Sequence, residues 1–206
     1  MTTVACVLRS GGIYTSDWVH ALKRGLDRHA GVPFRFKCLT DLDVPGVECI
    51  PLEHDWPGWW AKLELLNPRT FDGPVVYMDL DTLPVGDLSG ILGYRGRFAM
   101  LTDFGRPIDG QSGMMAWTPS HESAHVWKRF MANPGRGMQQ YLGDGQFIYA
   151  HARQCERLQT LFPGQIVSLK LHARAGIPEG VRVVCDHGTT KFSDMTGWSR
   201  AMWQSA

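Results

Sequence analysis

The apolar positions change their period several times along the chain, and each change marks an element. Val4-Ala5-Cys6-Val7-Leu8 is a continuous apolar run stopped by Ser10-Gly11-Gly12, the pattern of a strand buried on both faces. Trp18, Ala21, Leu22, Gly25 and Leu26 then recur at helical spacing, with Lys23, Arg24 and Arg28 elsewhere on the surface and Ser16 or Asp17 placed to cap. Strands are predicted at Phe34–Leu39 and Val47–Leu52, a compact helix at Trp59–Leu66 closed by Asn67-Pro68, and a β-prone strand at Pro74–Met78. Shorter runs predict strands at Phe98–Leu101, Met114–Trp117 and Val181–Cys185. Two later helices are predicted, one from Ser120 to Met131, broken by Asn133-Pro134-Gly135, and one from Asp144 to about Arg157. Ser193 or Asp194 opens a last amphipathic stretch carrying Met195, Trp198 and Met202. Strand, helix and strand in that order predict an α/β sheet, and 206 residues without repeat or linker are expected to form one domain.

Composition narrows the function classes without choosing one. The formal net charge is +1 and the charges are dispersed, so no electrostatic footprint for nucleic acid or a membrane surface is present. Cys6, Cys38, Cys49, Cys155 and Cys185 form no close pair, which predicts neither a disulfide framework nor a zinc site and fits a reducing, cytoplasmic compartment. No apolar run approaches the length of a spanning helix, and Val4–Leu8 is too short for a signal-peptide core, so no transmembrane segment is expected. Eight tryptophans are unusual: Trp56, Trp59, Trp60, Trp198 and Trp203 read either as core or as an aromatic platform for a sugar.

Chemistry gathers at the ends of strands. Asp79-Leu80-Asp81 follows the Pro74–Met78 run directly, and on an extended backbone the two carboxylates face one side. Paired carboxylates at a strand's carboxyl end suit a divalent cation, though acidic residues also close strands as simple turns. His187-Gly188-Thr189-Thr190-Lys191 follows the last strand, offering an imidazole ligand, a glycine that lets backbone approach a phosphate, and a cation for a diphosphate. Each of these reads equally as an ordinary loop feature when taken alone, as does Lys62 on its helix.

Taken in order, the segments resemble the glycogenin-like, lipopolysaccharide galactosyltransferase-like glycosyltransferases. The matching residues are Trp60-Ala61-Lys62-Leu63, the run Pro74-Val75-Val76-Tyr77-Met78-Asp79-Leu80-Asp81, Asp103 ahead of Gln111-Ser112-Gly113-Met114-Met115, Gly143-Asp144-Gly145-Gln146, and His187-Gly188 with Lys191. The resemblance spans about residues 1 to 203. It implies a GT-A fold, a Rossmann-like, mostly parallel mixed sheet flanked by helices, and transfer of a sugar from a nucleoside-diphosphate donor, uridine diphosphate by default, with retention. By the same resemblance Asp79, Asp81 and His187 hold Mn²⁺ or Mg²⁺. Lys191, Gly188, Leu80 and Lys62 meet the phosphates or the sugar, and the loop Arg9, Ser10, Gly11, Gly12 and Tyr14 holds base and ribose. Asp103, Gln111, Asp144 and Gln146 line the sugar and acceptor side, with either Asp144 or Gln146 meeting the sugar.

Three departures stand out: Gln111 where the family has Asn, the glycine inside Asp144-Gly145-Gln146, and Lys191-Phe192-Ser193 in place of K-P-W. The rival readings are a sugar nucleotidyltransferase and a carbohydrate-binding relative without catalysis. The first lacks a glycine-rich basic loop after the first strand, and the second leaves Asp79, Asp81, His187 and Lys191 unexplained.

Overall fold

The protein, seen in a computed structural model, is described over residues 1–152, 154–188, 191–192 and 197–205. Its main sheet has seven strands, taken here in chain order: β1 (Thr2–Leu8), β2 (Phe34–Thr40), β3 (Glu48–Pro51), β4 (Val75–Met78), β6 (Ala99–Thr102), β7 (Gly110–Trp117) and β8 (Glu156–Arg157). Their spatial order is β3-β2-β1-β4-β7-β6-β8, with β7 antiparallel to both its neighbours and the other adjacent pairs parallel. A second sheet, β5 (Thr82–Pro84), β10 (Val183–Cys185) and β9 (Ile166–Ser168) in that order, stands at the exit of β4.

Alternation along β1 and β4 divides the core between the two faces of the sheet. Val4, Cys6, Leu8, Val76 and Met78 pack with Trp18, Val19, Leu22 and Leu26 of α1 (Ser16–His29) and with β10. Ala5, Val75 and Tyr77 point the other way, into a cluster with Trp60, Leu63, Phe130 and Phe147. Both faces are covered, which is why these strands read as continuous apolar runs. The second cluster is roofed by α3 (His121–Met131) and α5 (Asp144–His151), with α4 (Pro134–Gln140) between them. Asn133 ends one helix and starts the next, its side chain accepting from Arg136 N at 2.9 Å with Pro134 in the first turn.

Several boundaries differ from the expectation. The segment predicted as a compact helix at Trp59–Leu66 is a 3₁₀ helix, Gly58–Leu66, buried at seven positions. Three residues per turn put Trp60, Leu63 and Leu66 in one row, and Trp60 stacks on Phe130 at 5.6 Å. The helix predicted from Asp144 to about Arg157 stops at His151, because Glu156 and Arg157 leave it to pair with β6. The last strand begins at Val183 rather than Val181. Four short helical pieces carry no periodic signal: α2 (Ser89–Leu92), α4, α6 (Leu158–Leu161) and α7 (Leu169–His172). Ser193, Asp194 and Met195 lie outside the described residues, while α8 (Trp198–Ser205) packs on α1 through Trp203 and Trp18, 4.8 Å apart.

Candidate active site

The Asp79-Leu80-Asp81 segment is a turn, which corrects the extended geometry expected of it. Asp79 N continues the sheet by donating to Gly113 O at 2.8 Å, and Thr82 N then donates to Asp79 O at 3.0 Å. The chain bends here from β4 into β5, so the two carboxylates take separate partners. Asp79 accepts from Tyr77 Oη and from Lys62, whose Nζ is 3.0 Å from Oδ1. Asp81 is buried and accepts from Lys191 Nζ and, at 2.8 Å, from Tyr14 Oη. Leu80 between them is buried, its side chain packed in the core beneath.

Around Asp79 lies a cavity of about 270 Å³. Lys62, Asp103, Gln111, Asp144 and Gln146 line it, so the structure gathers these predicted residues together. Lys62 Nζ forms a node there, 3.2 Å from Ser112 Oγ and 3.4 Å from Asp144 Oδ2. Asp144 reaches this position because α5 starts hard against β7. A Cβ on Gly145 would lie 3.1 Å from Ser112 N, which gives the glycine inside that motif a packing reason. Gln111 Oε1 is buried without a hydrogen-bond partner, whereas Asp144 Oδ2 has the Lys62 ammonium beside it. Asp103 caps its own turn, accepting from Gly105 N and Arg106 N, both at 2.8 Å.

The small sheet brings the His187 segment beside Asp81. Cys185 pairs with Thr82, and Asp186 N donates to Asp81 O at 2.9 Å. His187 Nε2 lies 2.7 Å from Ser168 Oγ, and its ring stacks on Phe104 at 5.7 Å. Lys170 donates to His187 O and lies 3.2 Å from Asp186 Oδ1. Gly188 has φ +84°, a left-handed conformation that favours glycine. In the first loop Arg9 pairs with Asp41 and Asp55, and Ser10 N donates to Asp41 Oδ1 at 2.9 Å; Gly11 and Gly12 follow, and Tyr14 links this loop to Asp81. Among the described residues no three His, Cys, Asp or Glu side chains are grouped to hold a metal ion: Asp79 and Asp81 each hold a lysine, and His187 turns to Ser168.

A larger cavity of about 500 Å³, lined by His121, His125 and His151, lies at the other end of the sheet. None of the site's carboxylates or lysines reaches it, and ligands of α/β sheets bind at the carboxyl ends of strands. The candidate residues read from the sequence gather at the smaller cavity.

No sequence family and no curated protein matches this chain. Its structure does find counterparts. The glycosyltransferase GlyE of Streptococcus pneumoniae superposes with a TM-score of 0.69 at 15% identity, over 98% of this chain and 59% of GlyE. An active-site variant of LgtC, also a glycosyltransferase, superposes with a TM-score of 0.71 at 10% identity, over 98% of this chain and 94% of LgtC. The fold is GT-A. The chain thus spans less than two thirds of GlyE but nearly all of LgtC.

Within this GT-A fold the electrostatics are those of buried charge. Burial lowers the Lys62 ammonium, but Asp144 and Asp79 outweigh it and hold its pKa above the ordinary lysine value. Burial pushes the carboxyls of Asp144 and Asp186 up, against the lysine beside each. Burial and then the neighbouring Asp79 raise Asp81. Burial and the Lys170 charge lower His187, which favours a neutral imidazole able to act as a ligand.

The sequence reading had assigned no role to Tyr77, Ser112, Lys170, Asp186, Ser168 or Phe104. Tyr77 had a legible signal, two residues before Asp79 on the same strand face. The meeting of Asp186, Lys170 and Ser168 depends on a sheet of three-residue strands, which leaves no pattern in the sequence.

Proposed function

We propose that the protein is a glycosyltransferase that moves a sugar from a nucleoside-diphosphate donor, with uridine diphosphate as the default carrier, to an acceptor hydroxyl, with retention. The observation that supports the reading is the cavity beside the Asp79–Asp81 turn, where a buried lysine, the carboxylates of Asp79 and Asp144 and the unpartnered oxygen of Gln111 converge. Buried polar atoms without partners mark a place where a polar ligand completes the hydrogen bonding.

In donor chemistry, though not in their present grouping, Asp79, Asp81 and His187 suit Mn²⁺ or Mg²⁺, which would displace Lys62 from Asp79 and Lys191 from Asp81. Asp79 and Asp81 offer hard oxygens and His187 an imidazole. Asp79, Asp81 and His187 would hold the cation, which supplies Lewis-acid stabilisation of the leaving diphosphate. Lys191 and Lys62 then balance charge developing on the phosphates, and Gly188 lets backbone come close to them. Arg9, Ser10, Gly11, Gly12 and Tyr14 form the base and ribose wall, while Asp103, Gln111, Asp144 and Gln146 line the sugar and acceptor side, with either Asp144 or Gln146 meeting the sugar. No role for nucleic acid is part of this reading, and no described helix is long and apolar enough to cross a membrane.

Calorimetric titration with UDP and other nucleoside diphosphates, with and without Mn²⁺, tests the reading. Binding of one diphosphate that requires the metal, and loss of turnover in Asp79→Ala and Asp81→Ala, are expected. A folded protein that binds no nucleoside diphosphate, or unchanged turnover in both variants, refutes it.

A further inference from the structure

Three of the five cysteines stand in one row across the sheet. Cys6 of β1 is in register with Cys38 of β2, and Cys38 is in register with Cys49 of β3. The three strands run parallel, so side chains in register leave the same face. It is the face that α1 covers, where Cys6 and Cys38 lie fully buried in the cluster with Trp18, Leu22 and Val44. Cys49, on the edge strand of the sheet, is exposed. All three thiols are free. Adjacent strands lie about 4.8 Å apart, and a disulfide joins Cα atoms about 4.4–6.8 Å apart. Each neighbouring pair in the row is therefore within bridging reach. Cys185, by contrast, has Thr82 and Ser168 as its register neighbours.

We propose that this row is a reversible oxidation site, at which a small disulfide of the glutathione type converts Cys38 and Cys49 into a disulfide that fastens the edge strand β3. Cys6 and Cys38 do not meet solvent, so the oxidant enters at Cys49. The Cys49 thiolate attacks one sulfur of the oxidant, whose S–S bond breaks, and the first small thiol leaves with the proton that Cys49 gave up. The Cys38 thiolate then attacks Cys49 Sγ, the mixed disulfide breaks, and the second small thiol leaves with the proton of Cys38. Two protein thiols are oxidised and one small disulfide is reduced to two thiols. Burial raises the Cys49 thiol, and burial and then the Cys38 thiol raise that of Cys6, so the row rests protonated and reacts under sustained oxidant rather than at once. The bridge has a structural consequence. β2 runs into Asp41 and β3 leads on to Asp55, the two carboxylates that hold Arg9, so the cross-link joins the strands that carry them. The proposal is independent of the donor chemistry.

The test treats the folded full chain with oxidised glutathione, alkylates the remaining thiols and maps every cysteine by peptide mass spectrometry. Wild type, Cys49→Ser and Cys38→Ala are compared, with near-UV circular dichroism showing that each is folded before treatment. A Cys38–Cys49 bridge is expected in wild type, and dithiothreitol restores both thiols. Cys49→Ser removes the point of entry, so oxidation of Cys38 is lost while Cys155 reacts as in wild type. Cys38→Ala stops at the glutathione adduct of Cys49. Amide hydrogen exchange across β3 slows in the bridged protein. A wild type that stops at the Cys49 adduct, or that bridges Cys49 to Cys155 instead, overturns the inference. So does Cys38 that oxidises equally fast in Cys49→Ser, or a bridge that leaves exchange in β3 unchanged. Should Cys38→Ala, altered in the core, fail to fold, the surface variant Cys49→Ser still decides the question.

Discussion

Replacing Lys62 by Met tests whether the charge node beneath the cavity is what the distances imply. The lysine side chain is 11% exposed and lies 3.0 Å from Asp79 and 3.4 Å from Asp144. Met keeps the length and apolar stem of Lys but removes the charge, leaving Asp144 buried without a cation. Breaking a buried pair from one side costs about 3–5 kcal/mol. The cost has a ceiling, because Asp144 can take up a proton in the folded state. Against an ordinary carboxylate value of 3.8, protonation at pH 7 costs about 4.4 kcal/mol and at pH 5 about 1.6 kcal/mol. Asp79, at 27% side-chain exposure, is solvated and adds little.

The sign follows from linkage. A carboxyl whose folded pKa is raised above its unfolded value weakens the fold as pH climbs from 3.8 through the raised value. Urea unfolding of metal-free protein should therefore show Lys62→Met less stable by about 3–4 kcal/mol at pH 7 and by no more than about 1.6 kcal/mol at pH 5. For a chain of this size the first figure lowers Tm by roughly 6–16 °C. Adding Asp144→Asn to Lys62→Met should restore most of the loss at pH 7. A penalty under about 1 kcal/mol at pH 7, or one that ignores pH, refutes the account of Lys62 as the counter-charge of Asp144.

Further outcomes are equally specific. Gly145→Ala pushes a Cβ to 3.1 Å from Ser112 N, so thermal unfolding should show a loss of about 1–3 kcal/mol, and wild-type stability would count against the close approach of α5 to β7. Asp186→Asn should raise the Tm of metal-free protein at neutral pH, because burial holds that carboxyl's folded pKa high; the gain fades as pH falls toward 3.8, and a lower Tm at pH 7 contradicts it. Gly188→Ala forces φ +84° on a residue with a Cβ and should cost about 1 kcal/mol in unfolding experiments, whereas no loss would show that the loop readily changes conformation.

How much of this was legible depended on the length of each element. β1, β4 and α1 could be read because a run of four or more apolar residues, or a repeated helical stripe, outlasts local noise, and β2 because Phe34, Phe36 and Cys38 alternate with Arg35 and Lys37. β5, β9, α6 and α7 have three or four residues each, too few for any period. The 3₁₀ segment was placed but mistyped, since an element buried at seven of its positions, Lys62 and Glu64 among them, carries no polar face to separate three residues per turn from 3.6. In the site, Lys62, Asp79 and Asp144 were legible as an ordered motif set, and the cavity brings them together. The allotment of one lysine to each carboxylate of the turn was not, because it depends on the bend after Asp79, where Thr82 N donates to Asp79 O, and on lysines from distant segments.

That allotment bears on what the site is for. Among the described residues Asp79, Asp81, Asp144 and Asp186 face Lys62, Lys170 and Lys191 within one end of the fold. Apolar residues of similar volume would stabilise a purely structural interior at least as well, so buried ion pairs are a poor explanation of stability in their own right. They make sense if a ligand brings charges of both signs. Positive charge arriving at Asp79 and Asp81 would release the partners of those carboxylates, and phosphate oxygens arriving beside Lys62 and Lys191 would take up the ammonium groups. In the free protein the same lysines keep the carboxylates from facing one another uncompensated. A donor diphosphate with its divalent cation has that pair of charges, whereas a neutral sugar alone does not. Metal and diphosphate should therefore stabilise the fold together by more than the sum of their separate effects, which a two-way thermal-shift titration measures directly. Additive shifts would mean that the lysines and carboxylates serve independent ligands, and the donor reading would lose its electrostatic basis.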